Sequence, residues 1–287
     1  MVALVRPARS VAQADRHSGV ESEMPELPEV EIMAQNLDRW LRGRCIRGVE
    51  LQDPKFEGLG LGESAGSTVV RAWRRAKYAV VDLDCGRSFL IHYRMTGKTV
   101  LDEDRSRRAR LWIEVDTGES IAFVDPRRFG EFMLVPTASL TGIFEAKSLG
   151  PEPWPHRRDG LWWAKALNGL RGPIKTAMMR QDRVVGIGNI LASESLFLAR
   201  LHPCRASNRL DSSEWQRLAD AVHQVIERTL AAESGDEIAY VNMGGQGSFL
   251  VYGHGGEPCP RCSQPIVRIV QSSRSTFYCS ACVDDDK

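Results

Sequence analysis

The sequence predicts an α+β protein of several domains: an N-terminal antiparallel β-sandwich or barrel with a flanking helix, a helical domain, and a small C-terminal hairpin stapled by cysteines. Three observations predict it. Two apolar strand pairs fold about glycine-containing turns: 78–83 with 88–93 about Asp84-Cys85-Gly86-Arg87, and 111–115 with 120–124 about Asp116-Thr117-Gly118-Glu119. From Leu161 to about Ala232 the apolar residues recur at helical spacing. Two Cys-x2-Cys pairs, sixteen residues apart, close the chain. The implied divisions are 1–23, 24–150, 151–248 and 249–287, and the prolines and glycine of Leu149-Gly150-Pro151-Glu152-Pro153-Trp154-Pro155 mark the first interdomain boundary.

Residues 1–23 carry no helical or strand period. Arg6 and Arg9 interrupt any signal-peptide core, and Asp15, Glu21 and Glu23 argue against a transit segment. They read as a disordered extension or a mis-assigned start. Translation from Met24 with removal of the initiator leaves Pro25 as a terminal secondary amine beside Glu26. Such an amine has a pKa of about 7.7–8.0 and is partly unprotonated near neutrality. Its adduct with an aldehyde-like carbon is an iminium with no N–H to lose, which suits covalent catalysis. Taken alone, Pro25 and Pro28 are better read as helix-starting prolines; the rest of the chain reverses that. A helix is predicted over 29–44, with Val30, Met33 or Ala34, Leu37 and Leu41 on one face. Acidic residues lie at its start, arginines at its end, and Gly43 follows as a stop.

Helices are predicted over 161–170, 174–181, 192–201 and 213–231. The break Val185-Gly186-Ile187-Gly188-Asn189 directly precedes one of them, and N–H groups at a helix start suit a phosphate, although an ordinary turn explains the glycines equally well. Cys259, Cys262, Cys279 and Cys282 form a four-thiolate zinc signature that leaves no open coordination position, so this zinc is structural. Strands 266–270 and 275–278 lie between the two pairs and make a hairpin too small to fold without such a staple.

The 287 residues are 43% hydrophobic and 26% charged, ordinary for a globular protein, and no run of 18 apolar residues spans a membrane. Net charge is only +1, but basic residues cluster at Arg71, Arg74, Arg75 and Lys77, at Arg105, Arg107, Arg108 and Arg110, and at Arg127-Arg128. Each cluster alone is a solvated face; three within one half of the chain point to a polyanion. Seven cysteines, an odd number, fit a reducing cytoplasm better than a secreted disulfide framework.

The segments Pro25-Glu26-Leu27-Pro28-Glu29-Val30-Glu31, Arg75-Ala76-Lys77-Tyr78, Asp125-Pro126-Arg127-Arg128-Phe129-Gly130, Leu149-Gly150-Pro151-Glu152-Pro153 and Gly186-Ile187-Gly188-Asn189-Ile190 occur in that order before the cysteine hairpin. Together they resemble the formamidopyrimidine-DNA glycosylase family, which also contains endonuclease VIII, from Met24 to about Cys282. The resemblance implies a β-sandwich, a helix-two-turns-helix domain and a zinc-finger hairpin, with damaged double-stranded DNA in the cleft between the halves. It implies a bifunctional glycosylase and AP lyase of base excision repair, monomeric and cytoplasmic, or nucleoid-associated when bound to DNA, with one structural zinc.

By the same resemblance, Pro25 attacks the sugar C1′ and Glu26 protonates the ring oxygen, with its proton retained through burial or a nearby anion. Glu29 supports this segment. Lys77, counted with the catalytic group, holds the backbone beside the lesion. Asn189 and Arg274 grip flanking phosphates, and Lys175 falls near the lesion. Met95, Arg127 and Phe129 fill the void left by the extruded nucleotide, with Arg127 facing the orphaned cytosine, and Arg128 contacts the backbone. Met95 with this Arg and Phe favours oxidised purines such as 8-oxoguanine. The sequence departs from the family in the extension before Met24, in the segment 235–247, and at Arg94, where a small residue is common. An endonuclease VIII-like enzyme for oxidised pyrimidines and a non-catalytic damaged-DNA-binding relative remain the alternatives.

Overall fold

The apolar period that starts at Val30 folds into α1, Leu27–Leu41, with Val30, Met33, Ala34, Leu37 and Leu41 buried in the core of the N-terminal half. The helix begins two residues before the predicted start because Pro28 fits its first turn and Glu26 takes the N-cap. It stops ahead of Gly43, whose φ of +76° suits glycine. The structure, a computed structural model, describes residues 25–102, 105, 107–232 and 249–283. The predicted extension 1–23 and the loop 235–247 lie outside the described residues.

Eight strands follow: β1 Ile46–Leu51, β2 Val69–Arg75, β3 Tyr78–Leu83, β4 Arg87–His92, β5 Lys98–Leu101, β6 Leu111–Val115, β7 Ser120–Val124 and β8 Glu131–Pro136. They form two antiparallel four-stranded sheets, β1-β6-β7-β5 and β2-β3-β4-β8. The two predicted hairpins fall in different sheets, β3–β4 in one and β6–β7 in the other, so the architecture is a sandwich. Alternation decides the faces. Ala79, Val81, Phe89 and Ile91 pack inward with Ile113, Phe123 and α1. Val80 and Leu90 face outward and are covered by Leu140 and Phe144 of α2, Leu140–Ala146, a helix the sequence does not predict. Both faces of β3 are therefore buried, which explains its unbroken apolar run.

The second half contains α3 Gly160–Ala166, α4 Ile174–Met178, α5 Asn189–Ala199 and α6 Ser212–Ala232. Trp163, Ile174, Met178, Leu191, Leu196, Leu218 and Val222 build its core, and Leu27 of α1 packs into it. The first residue of α1 thus belongs to the helical core and the rest of the helix to the sandwich. The chain ends in a hairpin of β9 Val267–Gln271 and β10 Arg274–Tyr278, shifted by about one residue from the predicted strands. Its two-residue turn, Ser272-Ser273, has positive φ at both positions, the mirror-image turn that matches strand twist. Among the described residues no helix is long and apolar enough to cross a membrane.

Candidate active site

A cleft of about 660 Å³ is lined by residues of both halves and of the hairpin turn. It brings together Glu26, Lys77, Met95, Asn189 and Arg274, which come from segments far apart in sequence. Pro25 is buried one residue before Glu26 and is not among the lining residues. Glu29 lies beneath the cleft at 4% exposure. Arg127, Arg128 and Phe129 stand outside it, exposed in the β7–β8 turn, with the Arg127 guanidinium 5.0 Å from the Phe129 ring centre. Lys175, expected by the resemblance near the lesion and among the DNA-binding residues, is enclosed in the protein at 1% exposure and does not line the cleft.

Glu26 is held by the start of α5. Its Oε2 accepts the Gly188 and Leu191 N–H groups at 2.9 and 3.0 Å, and its Oε1 accepts that of Ile190 at 2.9 Å. Leu27 N–H donates to Gly186 O at 3.1 Å. The positive end of a helix faces a carboxylate here, the arrangement that helix dipoles favour. The Gly186-Ile187-Gly188 break, expected to suit a phosphate, is therefore engaged by the protein's own Glu26. The glycines serve close approach: a Cβ on Gly186, where φ is +83°, would meet Leu27 Cβ at 2.7 Å.

Glu26 N–H in turn donates to Glu29 Oε2 at 2.8 Å. Burial, and then the neighbouring Glu26, push the Glu29 carboxyl up to about 7, against a smaller opposing effect of Lys77.

Lys77 sits at the β2–β3 turn, where Ala76 has φ +54°. Glu152 of the interdomain segment clamps this turn, accepting Ala76 N–H at 2.7 Å and pairing with Arg74 and Arg75 at 2.8 and 2.7 Å. Arg74 also pairs with Glu31, Arg71 with Asp82, and Arg105 with Glu50 and Glu114. The clusters expected to form a basic face for a polyanion are thus largely engaged in internal ion pairs. The sequence hides this because each acidic partner lies elsewhere in the chain. Arg128 likewise gives Nε and Nη2 to Asp53 at 2.8 and 2.6 Å.

The cleft also contains residues that the sequence reading passed over: Tyr78, His92 and Lys147. Tyr78 and His92 adjoin motifs already singled out, at Lys77 and Met95, and adjacency is the signal that could have found them. Their rings meet edge to face at 4.6 Å, and the Lys147 ammonium lies 5.5 Å from the Tyr78 ring centre. Burial pushes the His92 imidazole down to about 3, with Arg94, Lys77 and Lys147 adding to the effect. His92 Nδ1 accepts Arg94 N–H at 3.1 Å, which leaves the proton of the neutral ring on Nε2. Arg94 itself, at φ +55°, pairs with Glu131.

At the far end, the Sγ atoms of Cys259, Cys262, Cys279 and Cys282 lie within 4.8 Å of one another. Cys259–Cys282 and Cys262–Cys279 are 3.8 and 3.4 Å apart. Zinc–sulfur bonds of about 2.3 Å in a tetrahedron place sulfurs about 3.8 Å apart, so the four thiols fit one structural zinc. Arg261 N–H approaches Cys259 Sγ at 3.4 Å, a donor suited to a thiolate ligand. The Phe277 ring packs on Tyr252 at 5.0 Å, which ties the hairpin to the segment that leads into it.

Comparison with known proteins matches the same three parts. Residues 24–132 match the family model described as the formamidopyrimidine-DNA glycosylase N-terminal domain. Residues 149–239 match that enzyme's H2TH domain, and residues 256–284 match a zinc finger found in FPG and IleRS. The chain is 35% identical over 281 residues to the formamidopyrimidine-DNA glycosylase of Cereibacter sphaeroides, covering 90% of this chain and 99% of the relative. It is 36% identical over 275 residues to that of Gluconobacter oxydans, with the same coverage. Among solved structures, a complex of Lactococcus lactis Fpg with DNA containing an abasic site superposes with a TM-score of 0.80 at 29% identity, covering 91% of this chain and 100% of that one. The MutM (FPG) protein of Thermus thermophilus gives 0.77 at 30% identity, covering 90% and 98%.

Proposed function

The chain belongs to the formamidopyrimidine-DNA glycosylase family and is a DNA glycosylase of base excision repair; from that premise we propose that it excises oxidised purines, 8-oxoguanine and formamidopyrimidines, and then cuts the strand as an AP lyase. The observation that carries this reading is the convergence of Glu26, Lys77, Met95, Asn189 and Arg274 on one cleft.

In the proposed reaction Pro25, as a terminal secondary amine, attacks C1′ of the extruded nucleotide. The glycosidic bond breaks and its electron pair leaves with the base. The base takes up a proton from water, and Glu26, fixed by the N–H groups of α5, accepts the proton that the Pro25 nitrogen gives up and delivers it to the ring oxygen, whose bond to C1′ breaks as the sugar opens to an iminium. Loss of a C2′ proton expels the 3′ phosphate, and a second elimination expels the 5′ phosphate. Lys77, Asn189 and Arg274 hold the flanking phosphates, which makes binding salt-dependent. Met95 and Phe129 fill the void, Arg127 faces the orphaned cytosine, and Arg128 keeps Nη1 for the backbone while Asp53 holds its other two nitrogens. The protein works as a monomer in the reducing cytoplasm, on the nucleoid.

The test is borohydride reduction during cleavage of an 8-oxoguanine–cytosine duplex, using protein whose N-terminus has been sequenced. Protein that begins at Pro25 is expected to give a covalent adduct and β,δ-elimination products; protein that begins at Met1, with the Pro25 nitrogen in an amide, gives neither. Undiminished scission by the longer form overturns the reading. A thymine-glycol duplex run in parallel decides between purine and pyrimidine lesions.

A further inference from the structure

Lys175 is the buried group that the proposed reaction leaves without a role. Its ammonium has three N–H donors, and its partners include three oxygens of neutral groups. These are Asn189 Oδ1, Thr276 Oγ1 at 2.7 Å and Ser275 O at 3.2 Å. One oxygen belongs to α5 and two to β10, so this α4 side chain joins the helical half to the hairpin through polar atoms, alongside Gln271 Nε2 on Pro203 O and Arg261 Nη1 on Phe197 O. Burying an ammonium is costly unless it is hydrogen-bonded, and a residue of similar length such as methionine would fill the same space without that cost. The charge needs a reason.

We propose that Lys175 is a positioning residue that sets the side-chain amide of Asn189 and couples it to the zinc hairpin. An ammonium beside Oδ1 rejects the flipped amide, because Nδ2 would then present its hydrogens to a cation. With Oδ1 fixed, Nδ2 is turned toward the Tyr252 hydroxyl, 3.4 Å away, and toward the cleft that Asn189 lines. The same ammonium holds Ser275 O and Thr276 Oγ1 of β10, so the amide of Asn189 is set against the hairpin. Thr276 Oγ1 in turn donates to Gln271 Oε1 of β9 at 2.9 Å, so the acceptor that Lys175 meets is itself held within the hairpin. The proposal rests on the reading of Asn189 as a phosphate contact.

The experiment is a double-mutant cycle of Lys175→Met and Asn189→Ala, read as affinity for a duplex carrying a tetrahydrofuran abasic analogue over a range of salt. Zinc content and thermal unfolding are measured on each variant. Each single variant is expected to lose roughly tenfold in affinity, the scale of one hydrogen bond to a charged group. The double variant should lose no more than Asn189→Ala alone. The salt slope of Lys175→Met should stay at the wild-type value, because the lost contact is made by a neutral amide. A slope lower by about 0.9, the value for one phosphate neutralised directly, overturns the proposal, as do additive losses. If Lys175→Met does not fold with its zinc, the cycle is read with Thr276→Val, for which the same non-additivity is expected. Full affinity in Asn189→Ala would instead sink the reading of Asn189 itself, which keeps the two failures distinguishable.

Discussion

A Cβ built on Gly188 would lie 2.2 Å from Glu26 Oε1. The start of α1 and the start of α5 therefore form one joint, in which a carboxylate from the sandwich half is held by three N–H groups of the helical half. Gly188→Ala must push Glu26 away and leave those donors poorly met, at a cost of about 1–3 kcal/mol. In the proposed reaction cleavage depends on the placement of Glu26, and a displacement of about 1 Å is enough to lower the rate by roughly a hundredfold. Thermal unfolding and single-turnover cleavage check both effects. Wild-type cleavage by Gly188→Ala would disprove the joint.

Glu29 gives the fold a pH dependence whose sign can be worked out. Its carboxyl is raised from 4.5 to about 7 in the folded protein. The stability tied to it is full below pH 4.5, where both states hold the proton. It declines as the pH rises through the interval to about 7, since the unfolded chain releases that proton first. The size is about 3 kcal/mol at about 1.4 kcal/mol per unit. Glu29→Gln, neutral at every pH and still able to accept the Glu26 N–H, should be more stable than wild type above pH 7 and equal to it below 4.5. Denaturant unfolding across that range measures the difference; parallel curves would show that Glu29 does not hold its proton.

The strand pairs 78–93 and 111–124 are legible in sequence because each is a local event: two apolar runs and a turn with Gly86 or Gly118. The cysteine hairpin is legible for the same reason. The joints are not. Glu26 meets α5 across more than 160 positions, and Glu152 reaches Arg74, Arg75 and Ala76 across 78, 77 and 76. Without those pairings the arginines look like a free basic face. The Gly186–Gly188 break looks like a phosphate loop, because a glycine demanded by close packing reads the same as one demanded by a ligand. Helix α2 has only seven residues, with Gly142 inside it, too short for a period to emerge. Lys175 matched a family position, but nothing in its neighbours reveals that it is enclosed.

Phe129 separates packing from function. It is 49% exposed, whereas Phe123 of β7 is 0% exposed and packs at 6.0 Å on Phe56 and at 5.5 Å on Phe132. Phe129→Ala is expected to change stability by no more than about 0.5 kcal/mol, while Phe123→Ala costs about 3–5 kcal/mol. Binding to an abasic-site duplex should reverse the order: weakened by Phe129→Ala, and unchanged by Phe123→Ala at temperatures where that variant is folded. Calorimetry and fluorescence anisotropy give the two readings. Intact DNA binding by Phe129→Ala would remove it from the wedge role.

Lys147 lies in the cleft wall, with its ammonium over the Tyr78 ring and no carboxylate partner among the described residues. That sets it apart from Arg94, which is paired with Glu131. If DNA occupies this cleft, Lys147→Ala should lower the slope of log affinity against log salt by about 0.9. Arg71→Ala should leave the slope unchanged, because Arg71 is paired with Asp82. Equal slopes for Lys147→Ala and wild type would mean that the backbone runs elsewhere.

Zinc removal reaches the cleft by two routes that salt can tell apart. The hairpin is held by Cys259 and Cys279, both buried, by Phe277 on Tyr252, and by the Lys175 ammonium on Ser275 and Thr276. Chelation removes the metal–thiolate bonds that draw the four sulfurs together, and small domains of this kind unfold when they are lost. Arg274 then leaves the cleft, a charged contact, which lowers the salt slope by about 0.9, as Arg274→Ala alone would. Lys175 also loses its two β10 acceptors, and Asn189 loses the brace that Lys175 provides through them. Because that contact is neutral, its loss lowers affinity with no further change in slope. The chelated protein is therefore expected to match the slope of Arg274→Ala but bind more weakly, while near-ultraviolet circular dichroism from Trp73, packed under α2, and from Trp163 in the helical core persists. Binding by the chelated protein equal to that of Arg274→Ala would show that the hairpin acts through its arginine alone.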